Sequence, residues 1–186
     1  MIRKQGHKVP PLSTAKIRGI ANKLRCIFDT LSDRSQLKFD VLAAIEFHLP
    51  TISSDYSYVI VEDQSLGDDH AQTFPDKNLI KIKQSTYDGA LRGSGRDRFT
   101  LAHEIGHLFL HKNISSFARS SSPSTKHKAF EDSEWQADCF AAELLMPFDD
   151  VRRCTSALEV QFKFGVSLQA AEVRWNKVRS EIEENK

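Results

Sequence analysis

The hydrophobic positions change period several times along this chain, and each change predicts an element. From Ser13 onward, Ile17, Ile20, Ala21, Leu24, Ile27, Phe28 and Leu31 recur at intervals of three and four. That is the spacing of one helix face, and Ser13 stands where it can cap the first turn. A second stripe, Leu37, Val41, Leu42, Ile45 and Leu49, predicts a helix after Asp33 that Pro50 ends. The aromatic and β-branched run from Tyr56 to Val61 predicts a strand. Two shorter strands are predicted at 72–74 and 79–82 around a turn at 75–78. Residues 84–97 carry three glycines and predict turns or a short helix. A strong helix is predicted over 98–111, then a Ser-rich surface loop over 113–128. The next helix, from near Phe130 to just before Pro147, is apolar nearly all round, which marks it as buried. Residues 149–180 predict two or three short helices with a break at Gly165 and a cap at Ser167. Helices, a small sheet, then helices again is the order of an α+β fold rather than a regularly alternating α/β one. The boundaries expected are an irregular basic arm at 1–12, a main domain at 13–147 and a C-terminal helical segment at 148–186.

Composition narrows the function classes. At 186 residues the chain is expected to form one domain, or one with a small appendage. Lys plus Arg is 26 against 25 Asp plus Glu, so overall charge makes no case for nucleic acid or a membrane surface. No apolar run reaches the ~18–20 residues of a membrane span, and no apolar stretch follows the basic start to make a signal peptide. Three widely spaced cysteines, Cys26, Cys139 and Cys154, argue against a disulfide framework and against a Cys-x-x-Cys zinc site, and for a cytoplasmic protein.

The chemistry is concentrated in the predicted helix over 98–111, which contains His103-Glu104-Ile-Gly-His107. Two His four apart lie on one helix face, about one turn apart, and can converge on one Zn²⁺. A metal there lowers the pKa of a bound water towards ~7, and the adjacent Glu104 is placed to accept its proton as general base. Gly106 inside the helix costs about 1 kcal/mol relative to Ala, which suggests that another backbone packs against it. A catalytic zinc takes a third protein ligand. His111 lies about 12 Å past His103 along a straight helix, too far for the same ion, and is read as a C-terminal residue favourable to the dipole. Glu134 is the better candidate. It stands four residues before Asp138 on the apolar helix, where carboxylates need partners. Glu134 would bind the metal, and Asp138 would accept the outer N–H of His103 or His107. Asp132, His127 and Cys139 are weaker ligand candidates. Tyr87, Arg98, His70 and His127 remain open as oxyanion donors.

Together, Arg98-Phe-Thr-Leu-Ala-His-Glu-Ile-Gly-His-Leu-Phe-Leu-His111 and Glu134-x-x-Ala-Asp-x-Phe-Ala-Ala-Glu-Leu-Leu-Met-Pro147 resemble the ImmA/IrrE family of bacterial and phage metallopeptidases. The resemblance covers roughly residues 35–180. It implies a compact zincin-like, gluzincin-type fold, one zinc, ligands His103, His107 and Glu134, and Glu104 as base. It also implies a substrate class: helix-turn-helix transcriptional repressors, often encoded beside the peptidase on mobile elements or as a toxin–antitoxin-like pair. The basic arm is outside the family pattern.

The function expected is therefore a zinc-dependent endopeptidase acting on a regulatory protein, with the substrate held extended along a sheet edge such as 78–83. The alternative, from a different class, is a non-proteolytic metal-binding regulator or toxin-like partner of such a repressor. Residues 1–28 hold seven Lys/Arg and no acid, read mainly as a solvated face with a loose tail. Residues 158–180 have helix-turn-helix spacing. Residues 148–186, however, carry seven basic and seven acidic side chains, so packing or repressor docking is favoured over direct DNA binding.

Overall fold

The structure, a computed structural model, describes residues 6–32, 37–112, 114 and 127–184. Most of the Ser-rich segment and residues 33–36 lie outside that set. Helix α1 spans Thr14–Leu31, and the Ser13 hydroxyl accepts from the Lys16 N–H as the sequence suggested. Helix α2 differs from its expected bounds. It is a continuous run of Val41–Ala43, a π-helical stretch Ala44–His48 and Leu49–Ile52, capped by Asp40. Leu37 stands outside it, exposed, and Pro50 lies within it rather than ending it. A proline has no N–H to donate and crowds the carbonyl four residues back; the widened turn just ahead of it accommodates both.

Three strands follow: β1 (Ser57–Val61), β2 (Ala71–Phe74) and β3 (Leu79–Lys83). Their order is β1-β3-β2, with β1 parallel and β2 antiparallel to β3. The register runs Ser57↔Leu79 to Val61↔Lys83 on one side and Ala71↔Ile82 to Phe74↔Leu79 on the other. Ile80 and Ile82 point into the core and are fully buried, the alternation expected of a strand packed on one face. The expectation that 78–83 offers an exposed edge is therefore corrected. Both ladders of β3 are occupied, and β2 and β1 are the outer strands.

After β3 come α3 (Gln84–Leu91) and α4 (Gly95–Leu110). The latter begins a turn earlier than its apolar pattern shows, because the Ser94 hydroxyl caps it at the Asp97 N–H. Then follow α5 (Ser133–Leu145), α6 (Phe148–Val151), α7 (Ala157–Phe164) and α8 (Leu168–Glu184). Gly165 adopts a left-handed φ of 62° at the α7 C-cap, and the Ser167 hydroxyl accepts from the Ala170 N–H at the start of α8. The molecule is a mixed α+β fold.

Helix α5 is the centre of the packing. It lies against both α1 and α4, and Ala137, Phe140, Ala141, Leu144 and Leu145 are wholly buried. Gly106 of α4 shows why these helices approach so closely. A Cβ there would sit 3.1 Å from the Phe140 ring and 3.2 Å from both Cα and O of Ala137. Gly106→Val is expected to wedge α4 from α5 and cost about 1–3 kcal/mol by overpacking, measurable by denaturant titration. An unchanged midpoint and slope would show that the close approach is not needed.

The arm is built into this core. Val9 N–H donates to the Glu131 carbonyl at 2.8 Å, Leu12 N–H to that of Phe130 at 3.0 Å, and Ser133 N–H to that of His7 at 3.0 Å. Lys8 and Asp132 form an antiparallel bridge. Residues 6–12 are thus pinned along the approach to α5. No helix among the described residues is long and apolar enough to cross a membrane.

Candidate metal centre

Two helices bring the polar residues together. On α4 the apolar face, Leu101, Ala102, Ile105 and Leu108, is buried, which turns His103, Glu104 and His107 toward the start of α5. There Asp132 caps the helix by accepting from the Trp135 N–H at 2.9 Å, and Glu134 follows one residue into the first turn. His103 Nε2 lies 3.3 Å from one Glu134 oxygen, and His107 Nε2 lies 3.4 Å from the other. The two Nε2 atoms are 2.9 Å apart. One donor atom from each of the three residues falls within 4.8 Å of the others, and this is the one such group of three or more His, Cys, Asp or Glu among the described residues.

Each part of this cluster is held from behind. Asp138 Oδ1 lies 2.8 Å from His103 Nδ1. Gly6 packs on Glu134 so closely that a Cβ would come within 2.6 Å of the Glu134 Cγ. Thr73 of β2 donates its hydroxyl to Glu104 Oε2 at 2.6 Å, and its oxygen also lies 3.0 Å from the Glu104 carbonyl. Glu104 itself is buried.

His111 corrects its expected role. It does close the C-terminus of α4, but it is buried rather than answering the dipole, with Nδ1 2.9 Å from His107 Nδ1 and Nε2 3.1 Å from Gln136 Oε1. The weaker ligand candidates also lie apart from the three-residue group. Asp132 is occupied with the N–H groups of Gly6 and Trp135 and with His127, while Cys139 is buried near Lys177. Of the oxyanion candidates, Arg98 is buried and donates to the carbonyls of Phe39, Phe164 and Gly165. Tyr87 donates to Glu46, His70 meets Arg96, and His127 meets Asp132.

The electrostatics of the cluster favour positive charge. Burial opposes a charge on His103, yet its hydrogen bonds to Asp138 and Glu134 and the nearby Glu104 carboxylate push its pKa up to about 10. The His103 and His107 rings, 3.3 and 3.4 Å away, hold the Glu134 carboxyl far below the ordinary range. Burial, aided by His107, pulls His111 down to about 4. The pair of imidazoles and the ionised Glu134 thus form a pocket that favours positive charge beside a ring kept neutral.

The residues missed by sequence reasoning are Thr73, Gln136 and Gly6. Gln136 carried a signal, being a polar residue amid the apolar run of α5, as Glu134 and Asp138 are. Thr73 and Gly6 carried none, since only folding brings β2 and the arm to α4 and α5.

Comparison with known proteins agrees with the motifs. The family model for the IrrE N-terminal-like domain, a peptidase family, matches residues 89–176, so this stretch belongs to the ImmA/IrrE family. It takes in both α4 and α5 and with them every residue of the cluster. No curated protein matches the chain. Among solved structures the chain is similar to a Mycobacterium tuberculosis transcriptional regulator, with a TM-score of 0.53 and 16% identity over 85% of this chain. It spans 46% of that protein's length, and the likeness is one of fold.

Proposed function

We propose that this chain is a zinc-dependent endopeptidase of the zincin, gluzincin type that hydrolyses a peptide bond in a helix-turn-helix transcriptional repressor or antitoxin. The observation that carries the reading is the convergence of His103 Nε2, His107 Nε2 and the Glu134 carboxylate within 4.8 Å of one another, with Glu104 on the same helix. Two imidazoles and one carboxylate are a donor set that suits Zn²⁺ and leaves a coordination position open. When bound, the ion supplies Lewis acidity toward the scissile carbonyl and the attacking water.

The protein's own groups do the rest. An extended substrate segment pairs with the outer side of β2, the strand that packs along α4 and carries Thr73. Main-chain hydrogen bonds then hold the segment beside Glu104. The Thr73 hydroxyl fixes Oε2 of Glu104, and the carboxylate accepts the proton of the attacking water. It passes that proton to the leaving nitrogen as the C–N bond breaks. Asp138 orients the ring of His103 through Nδ1. The repressor as substrate rests on the family resemblance, and α7 and α8 offer it an exposed apolar surface at Leu158, Phe162 and Val173.

Incubation of the zinc-loaded chain with helix-turn-helix repressors from its own genome, read by mass spectrometry, tests this. Cleavage at one position, abolished by a chelator, is expected. An intact repressor in a tight complex would instead support a non-proteolytic regulator. Metal removal has its own signature. At free zinc about 1,000-fold above the dissociation constant, binding adds about 4 kcal/mol. Chelation is therefore expected to lower the melting temperature by roughly 10 °C for a chain of this length, with recovery on adding zinc. A melting curve indifferent to both treatments argues against a metal at this cluster.

A further inference from the structure

The two imidazoles of the cluster are oriented by unlike devices. His103 has a carboxylate behind it, and a carboxylate accepts, so His103 carries a proton on Nδ1, and Nε2 is the atom it offers to a metal. Behind His107, at Nδ1, stands His111 instead. The direction of that contact can be read from its far end. Gln136 Nε2 lies 2.9 Å from the Pro10 carbonyl and 2.8 Å from the Phe130 carbonyl. Both carbonyls can only accept, so the amide nitrogen belongs there and Oε1 faces His111. Oε1 can only accept as well, so His111 Nε2 bears a proton. In a neutral imidazole, Nδ1 then holds a lone pair, and it lies 2.9 Å from His107 Nδ1. His107 must donate from Nδ1, which leaves Nε2, 2.9 Å from His103 Nε2, as its ligating atom.

We infer that His111 and Gln136 are positioning residues for the metal. They form a neutral relay, anchored on the Pro10 and Phe130 carbonyls, that holds His107 in the tautomer able to ligate through Nε2. The inference rests on the proposed metal reading and extends it to the arm, since Pro10 supplies one end of the relay. A neutral relay also spares the site the extra negative charge that a second Asp138-like carboxylate would bring.

Long-range ¹H–¹⁵N spectra of the chelator-treated, ¹⁵N-labelled full chain at pH 8 read the imidazole tautomers directly, without metal or activity. His107 is expected to be protonated at Nδ1 and His111 at Nε2. Protonation of His111 at Nδ1 would overturn the inference. Zinc affinity, measured by competition with a chromophoric chelator, gives the second readout. His111→Phe keeps bulk but removes the acceptor and should weaken binding roughly 10- to 100-fold, with His107 no longer held in one tautomer. His111→Asn restores an acceptor near the Nδ1 position and should recover most of the loss. Gln136→Met should weaken binding less than His111→Phe. A natively folded His111→Phe protein that binds zinc as tightly as the parent sinks the relay alone. A parent protein that binds no zinc sinks the metallopeptidase reading instead and leaves the tautomer assignment standing on its own spectra.

Discussion

Glu104→Gln is expected to keep zinc at the parent stoichiometry while cutting peptide cleavage by about 10²- to 10⁴-fold, the range of a lost general base. Glutamine has the same length and shape, so it fits the buried site between α4 and β2. Its amide oxygen can still accept from the Thr73 hydroxyl, which stands 2.6 Å from Oε2 in the parent. It cannot take a proton from water at neutral pH. The three residues whose donor atoms converge, His103, His107 and Glu134, are untouched, so elemental analysis should find the metal in both proteins. The pairing of the two measurements is what makes the test sharp. Lost cleavage with lost zinc would report a damaged site, and parent-like cleavage with zinc retained would remove Glu104 from the mechanism.

The second large effect lies behind the site. Glu143 of α5 is fully buried and receives Arg174 of α8 through two bonds, Nη1 to Oε1 at 2.8 Å and Nη2 to Oε2 at 2.5 Å. Arg174 is itself buried, and its Nε donates to the Met146 carbonyl at 2.9 Å. Arg18 of α1 adds a third contact, Nε to Glu143 Oε2 at 3.2 Å, while its two outer nitrogens hold Glu181. One carboxylate therefore ties α1, α5 and α8 together. Glu143→Ala leaves the Arg174 charge buried without its partner and is expected to cost about 3–5 kcal/mol. That is a fall in melting temperature of roughly 10 °C for this length. The double replacement Glu143→Leu with Arg174→Met removes both charges and should recover most of the loss, because an apolar pair of similar volume avoids the desolvation. A single Glu143→Ala variant as stable as the parent in chemical denaturation would show that Arg174 finds water or another acceptor.

Much of this architecture was legible before folding was considered. The caps at Ser13 and Ser167 and the break at Gly165 are local matters, set within a few residues of one another. So was the close packing at Gly106, since a glycine within a helix has few other reasons to be there. The errors have physical causes too. Pro50 reads as a helix end from sequence because the local rule knows nothing of a π turn that can accommodate a proline. Residues 78–83 read as an edge from sequence because strand order is decided by crossovers, and alternation along one strand does not reveal how many neighbours it has.

By itself the amino-acid order determined which side chains share a helix face: His103 with His107, and Glu134 with Asp138, each pair four residues apart. A helix repeats every 3.6 residues whatever surrounds it, so these pairings follow from spacing alone. Only the tertiary structure decided that the two faces meet, that β2 rather than β3 brings Thr73 to Glu104, and that His111 turns inward to Gln136. It also drew residues 6–12 from an apparent tail onto the start of α5. Those outcomes depend on contacts between residues far apart in the chain. They are set by which apolar surfaces bury one another and by which buried polar groups must then find partners, and no local period encodes either.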